Sequence, residues 1–225
     1  EAVKPLGITE KLIYLNEENG YKIADYYEGT RNGNADDWKD MEICMGIVRK
    51  LHQSGLRVGH SFDIRERIAF YERLCLQHGG IPFEDYKEVR GWMNELMDRL
   101  DQMDRPQCLC HIDANVDNFL MFEDGSAKLL DWEYAGMCDP IMDISMSAIY
   151  SYYDAEQTEK LLELYLKRKP LKEEYYSVFA NAALGGFLWC LWAVYKAALG
   201  EEFGEYTIIM YRYAKSYYKK LKALS

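Results

Sequence analysis

The 225-residue sequence has no surplus of positive charge: 27 lysines and arginines stand against 37 aspartates and glutamates, for a net charge of -10. Nonspecific binding to nucleic acid or to an anionic membrane surface needs basic patches that displace counterions or meet anionic lipid, so neither partner is expected. No signal peptide is expected. The longest unbroken apolar stretch, FLWCLWAVY from Phe187 to Tyr195, falls short of the roughly 20 residues of a membrane helix, and a cytoplasmic protein is expected. Six cysteines occur, but Cys108, Cys110 and His111 lack a second CxxC or HxxxH group. A four-ligand zinc site is therefore set aside, and the thiols read as reduced core residues. Internal repeats and low-complexity linkers are absent, as are the phosphate-cradling patterns GxGxxG and GxxxxGK.

What is present is the composition of a folded protein, 49% hydrophobic and 28% charged, long enough for a sizeable core. KLIYLNEENGYKIADYYEG alternates apolar and polar residues around an Asn-Gly turn, which predicts a β-hairpin of Leu12 to Leu15 with Tyr21 to Tyr27. After the polar connector TRNGN, helical spacing predicts helices over 36–53, 63–77 and 83–103, each closed by glycine or proline. QCLCHID, NFLMF and AKLLDW then form a short β island. Four further helices are expected near 142–153, 156–167, 173–198 and 205–224.

The polarity is concentrated in the island, in HIDANVDNFL from His111 to Leu120. Glu123 to Ser126 suit a four-residue hairpin loop, so pairing Phe122 with Ala127 places Asn118 opposite Asp131, about 5 Å apart on one face. An amide oxygen beside a carboxylate suits Mg²⁺, and Asp113, five residues before Asn118, can accept the proton of a hydroxyl attacking phosphorus. The plainer alternative is that Asp113, Asn115 and Asp117 only cap backbone groups in a loop.

His111-x-Asp113-x4-Asn118, followed by LLDWEYAGMCDPIMDIS, closely resembles the catalytic and metal loops of the choline/ethanolamine kinase and aminoglycoside phosphotransferase superfamily, and within it the bacterial choline kinase branch. The resemblance implies a protein-kinase-like fold of α+β, mainly α class. It implies Asp113 as catalytic base, His111 as support for its loop, Asn118 and Asp131 as magnesium ligands, and ATP as phosphoryl donor. Backbone groups around Asp25, Tyr26 and Tyr27 would form the hinge that meets adenine. Val116 departs from the family, which usually has proline there.

A quaternary ammonium is best held by aromatic faces. Trp189 and Trp192, three apart on one helix, are core residues on spacing alone, but choline kinases carry a similar W-x-x-W helix, which implies a choline pocket. Tyr206, Tyr150 and Glu133 are further candidates for it. Residues 1–30 then read as a remnant of the nucleotide-binding lobe and hinge, and 31–225 as the catalytic and substrate lobe. The phosphate loop and the ATP-pairing lysine of that family have no counterpart in these residues, so truncation and little turnover from them alone are expected. Phosphorylation of choline to phosphocholine is the leading expectation. Ethanolamine, an aminoglycoside-type substrate, or a noncatalytic choline-binding module are the alternatives.

Overall fold

The computed structural model describes residues 2–16 and 18–223. A hairpin, β1 (Leu12–Leu15) and β2 (Lys22–Ala24), precedes a short strand β3 (Arg31–Asn32) and three helices, α1 (Trp38–His52), α2 (Ile64–Gln77) and α3 (Tyr86–Asp101). The β island follows as β4 (Cys108–Cys110), β5 (Phe119–Met121), β6 (Ala127–Leu129) and β7 (Gly136–Cys138). Helices α4 (Ile141–Tyr150), α5 (Ala155–Leu166), α6 (Lys172–Ala198) and α7 (Tyr206–Ala223) complete the mainly helical α+β body.

The predicted helix starts hold where an aspartate accepts the first free backbone N–H groups. Asp37 accepts from Lys39, Asp63 from Arg65 and Glu66, and Asp154 forms a capping box with Gln157. At α3 the helix starts at Tyr86 and not at Phe83. Phe83 stacks on Tyr211 at 3.9 Å between ring centroids, and the Asp85 carboxylate is taken by the Tyr211 hydroxyl and by Lys215. Tertiary contacts with α7 thus hold these residues out of the helix.

Two strands fall where the sequence pattern gives no strand signal. β3 lies in the expected polar connector and pairs antiparallel with β5, Arg31 opposite Met121. It is anchored by Asp40, a buried carboxylate on α1 that takes both Arg31 Nη atoms and the Asn34 backbone N–H. β7 pairs antiparallel with β4, Cys108 opposite Cys138 and Cys110 opposite Gly136. Its other side is bound by the 60–62 segment, through Met137 N to His60 O and Phe62 N to Met137 O, both 3.1 Å. A side chain at Gly136 would place Cβ 2.8 Å from the Phe62 nitrogen, so only glycine lets these backbones meet.

The core forms around α6, which packs against α2, α3, α4 and α7. By length and composition α6 could cross a bilayer, which the short run 187–195 does not reveal, but 94% of its most apolar window is buried within the fold. It is the central helix of this body. At Gly186 it approaches α7 so closely that an added Cβ would lie 2.6 Å from Met210 O and 2.8 Å from Tyr213 Cβ. Gly186→Ala should therefore push the helices apart and cost about 1–3 kcal/mol in urea unfolding. An unchanged unfolding midpoint would show that α7 can slide to make room.

Candidate active site

β4 leads into a turn that an ordinary backbone would not hold. Ile112 sits at φ 73, a left-handed conformation that a β-branched residue avoids. The buried carboxylate of Asp143, in the first turn of α4, fixes it: Oδ2 accepts the His111 N–H at 2.8 Å and Oδ1 the Ile112 N–H at 2.6 Å. His52 on α1 donates through Nε2 to Oδ2 at 2.9 Å. Burial alone would raise the pKa of this carboxyl, but the His52 hydrogen bond and charge and the backbone donors outweigh it, so Asp143 titrates below the usual range. Neither Asp143 nor His52 is singled out by the sequence reading. Asp143 stands in DPIMD, while His52 has no local motif at all.

The turn delivers Asp113 half-buried. Asn118, at the end of the 3-10 turn Val116–Asn118, donates its amide to Asp113 O and Oδ2, both at 2.9 Å. Asn115 accepts the Asp117 N–H, which is the backbone-capping role open to it on sequence grounds. The Asp113 pKa is pushed up to about 6, chiefly by burial. Asn118 and the Tyr150 hydroxyl pull it down, while the charges of Asp131 and Glu133 push it up.

His111 is fully buried, its ring against Trp132 at 4.7 Å and its Nε2 2.8 Å from Leu130 O. Since a carbonyl only accepts, Nε2 carries the proton. The ring ties the Asp113 turn to the end of β6 and is closed off from solvent.

The hairpin register corrects one expectation. Met121 pairs with Ala127 and Phe119 with Leu129, so Asn118 faces Leu130, and not Asp131. The Leu130 N–H donates to Asn118 O at 2.8 Å. The loop has three residues, not four: Phe122 N bonds Ser126 O, Gly125 takes φ 80, and Asp124 accepts from Ser126. A left-handed glycine in the third loop position is what a three-residue hairpin loop demands. A one-residue slip normally reverses the face of every side chain. Asp131, however, has φ 62 and lies outside the strand's alternation, close enough for its charge to act on Asp113.

With the Asn118 N–H groups spent on Asp113, the atom left for a ligand is its carbonyl oxygen. That oxygen, the exposed Asp131 carboxylate and that of Glu133 are hard oxygen donors of the kind Mg²⁺ takes. Asp131 and Glu133 also line a cavity of about 500 Å³ roofed by the hairpin and the N-terminal segment, including Thr9, Glu10 and Leu12. Asp25, Tyr26 and Tyr27 do not line it. Asp25 pairs with Lys11, Tyr26 is 87% exposed, and the Tyr27 ring packs on Phe122.

On the other side of Asp113 the aromatic residues gather. Trp189 is buried and lies edge-on to Trp192 at 6.1 Å and to Tyr134 at 5.4 Å, with Tyr150 at 6.0 Å. Trp192 in turn meets Phe203 at 4.8 Å and Tyr206 at 6.4 Å. The Tyr150 hydroxyl is buried beside Asp113, whose charged form it favours. Burial above all raises the pKa values of Tyr134, Tyr150 and Tyr206; the Asp113 charge is the next cause at Tyr150 and a smaller one at Tyr134 and Tyr206. Tyr134 and Phe203 are members that sequence reasoning missed. Tyr134 lies inside DWEYAG, whereas nothing in the local pattern marks Phe203.

Comparison with known proteins bears on the family and the fold. Residues 27–177 match the model of the phosphotransferase enzyme family. Protein LicA of Haemophilus influenzae is 23% identical over 213 residues, which cover 90% of this chain and 79% of that one. The crystal structure of choline kinase LicA from Streptococcus pneumoniae superposes with a TM-score of 0.85 at 28% identity, over 97% of this chain and 77% of that one. A LicA structure in complex with AMP matches equally well, with a TM-score of 0.85 at 28% identity over 97% and 76% of the two chains.

Removing the Asp143 carboxylate strands two buried backbone N–H groups and frees the strained turn at Ile112. Asp143→Ala should lower stability by about 3–5 kcal/mol in urea unfolding, the range for breaking a buried ionic pair. A loss below 1 kcal/mol would mean that the turn holds itself.

Proposed function

The chain belongs to the phosphotransferase enzyme family, and from that premise we propose that it transfers the γ-phosphoryl group of ATP to the hydroxyl of choline, giving phosphocholine. The observation that carries this reading is the position of Asp113 between two unlike surroundings, an oxygen-only donor set and an aromatic box. Choline has matching ends: a trimethylammonium that aromatic faces hold by cation–π attraction, and a hydroxyl only two carbons away. Seating the cation against Trp192, Trp189, Tyr134 and Tyr206 brings the hydroxyl to the Asp113 carboxylate. Glu133 adds negative potential nearby.

In this reading Asp113 Oδ2 is held by the Asn118 amide, and Oδ1 is left to accept the hydroxyl proton as the substrate oxygen attacks phosphorus. The P–O bond to ADP breaks as the new one forms, and the proton stays on Asp113 until product leaves. Asn118 Oδ1 and Asp131 would hold Mg²⁺, which neutralises charge on the transferring phosphate. His111 and Asp143 keep the base in register. The AMP-bound LicA structure supports a nucleotide site in this fold, and the cavity beneath the hairpin, with Asp131 and Glu133 at its floor, is the place we assign to the ATP phosphates. Residues 1–30 would belong to the nucleotide side, with the Asp25 to Tyr27 backbone as hinge, and 31–225 to the substrate side.

Choline should quench the tryptophan fluorescence of the protein saturably, and Trp192→Ala should weaken that binding roughly ten-fold, the loss of one desolvated cation–π contact. Ethanolamine, whose primary ammonium wants hydrogen-bond acceptors, should bind more weakly. Equal binding of the two would remove choline as the preferred substrate. In the full-length protein with ATP and magnesium, Asp113→Ala should lower kcat by about 10²–10⁴-fold with little change in choline binding. Retained turnover in that variant would rule Asp113 out as the base.

A further inference from the structure

Behind the catalytic turn, on the side of β4 that meets α1, three ligand atoms of soft character converge. The thiols of Cys108 and Cys110 and a ring nitrogen of His52 all lie within 4.8 Å of one another. The histidine is not the one adjacent in sequence, because the His111 ring is committed to Leu130 and Trp132. His52 takes that place by folding, 56 residues before Cys108 in the chain.

The spacing of the sulfurs is informative. They are 3.7 Å apart. Two thiolates at about 2.3 Å from one tetrahedral zinc ion are separated by about 3.8 Å, so the pair already spans one edge of the polyhedron. A disulfide would need roughly 2 Å between sulfurs, across residues i and i+2 of a strand whose Cα separation, about 6.6 Å, is near the upper limit for such a bond.

His52 is also oriented as a metal-binding imidazole. Its Nε2–H is held by the Asp143 carboxylate, so in the neutral ring Nδ1 carries the lone pair, directed at the Tyr165 hydroxyl 2.8 Å away. A carboxylate on one ring nitrogen and a metal on the other is a recurrent arrangement that fixes the tautomer and raises ligand basicity. Only the Tyr165 hydroxyl has to turn away.

We propose that His52 Nδ1, Cys108 Sγ and Cys110 Sγ form a binding site for a thiophilic metal ion of the zinc class, with a fourth ligand entering from solvent beside half-buried Cys108. Occupancy would brace α1 against β4 at the residue that also holds Asp143.

Cobalt(II) is the probe, because its thiolate charge-transfer absorption reports sulfur ligands and is silent for an oxygen-only site. Titration of the protein, reduced and without magnesium, should develop that absorption to one equivalent, and zinc should bleach it. Cys108→Ser should abolish the band while Asp131→Asn leaves it intact, which separates this site from the one assigned to magnesium. Buffered zinc should raise Tm in the unaltered protein and not in Cys108→Ser. No band, or a band of equal strength in Cys108→Ser shown by circular dichroism to be folded, overturns the proposal, because four other thiols would then account for the signal.

Discussion

One buried carboxylate determines the geometry of everything near the site. Asp143 is withdrawn from water at a cost that only close pairing offsets, and it is paired three ways, with two backbone N–H groups of the catalytic turn and with His52 of α1. Those bonds hold Ile112 in a conformation that its own side chain opposes. Asp113 follows directly and takes its direction from that strained residue. The aspartate of α4, the histidine of α1 and the turn after β4 therefore form one unit, and the position of the candidate base is a property of the fold's interior.

Around Asp113 the electrostatics are deliberately unbalanced. Burial and the charges of Asp131 and Glu133 work against its ionisation, and Asn118 only partly offsets them. Three carboxyl groups near one another favour the arrival of a cation. The same potential extends to the tyrosines of the aromatic box, where it favours a positive ligand head.

How much of this could be read from the sequence differs from element to element. The helices were legible because aspartates at their starts and apolar spacing along them act locally, as at Asp37, Asp63 and Asp154. The motif around Asp113 and Asn118 was legible through its resemblance to a family. The hairpin register was not, because it turns on whether Ser126 belongs to the loop or to the closing pair, which Gly125 and the Asp124 side chain decide in three dimensions. β3 and β7 escaped for a related reason: neither carries alternation of its own, and each exists through a partner, Asp40 for Arg31 and the 60–62 segment for Gly136. His52 was invisible because its role depends on residues 56 and 91 positions away.

The seam between the N-terminal segment and β6 has a mechanical side. Leu129 donates its N–H to Ile8 O at 2.7 Å, Lys128 reaches Thr9 O, and the Trp132 indole donates to Thr9 Oγ1 at 2.9 Å. These bonds flank Asp131 in the chain, while Glu10, Leu12 and Lys22 line the same cavity. A tilt of the hairpin about this seam would be transmitted through Thr9 to Trp132, one residue from the carboxylate. Roof and floor of the cavity are joined through these bonds, so the tilt of the hairpin and the placing of the Asp131 carboxylate would change together.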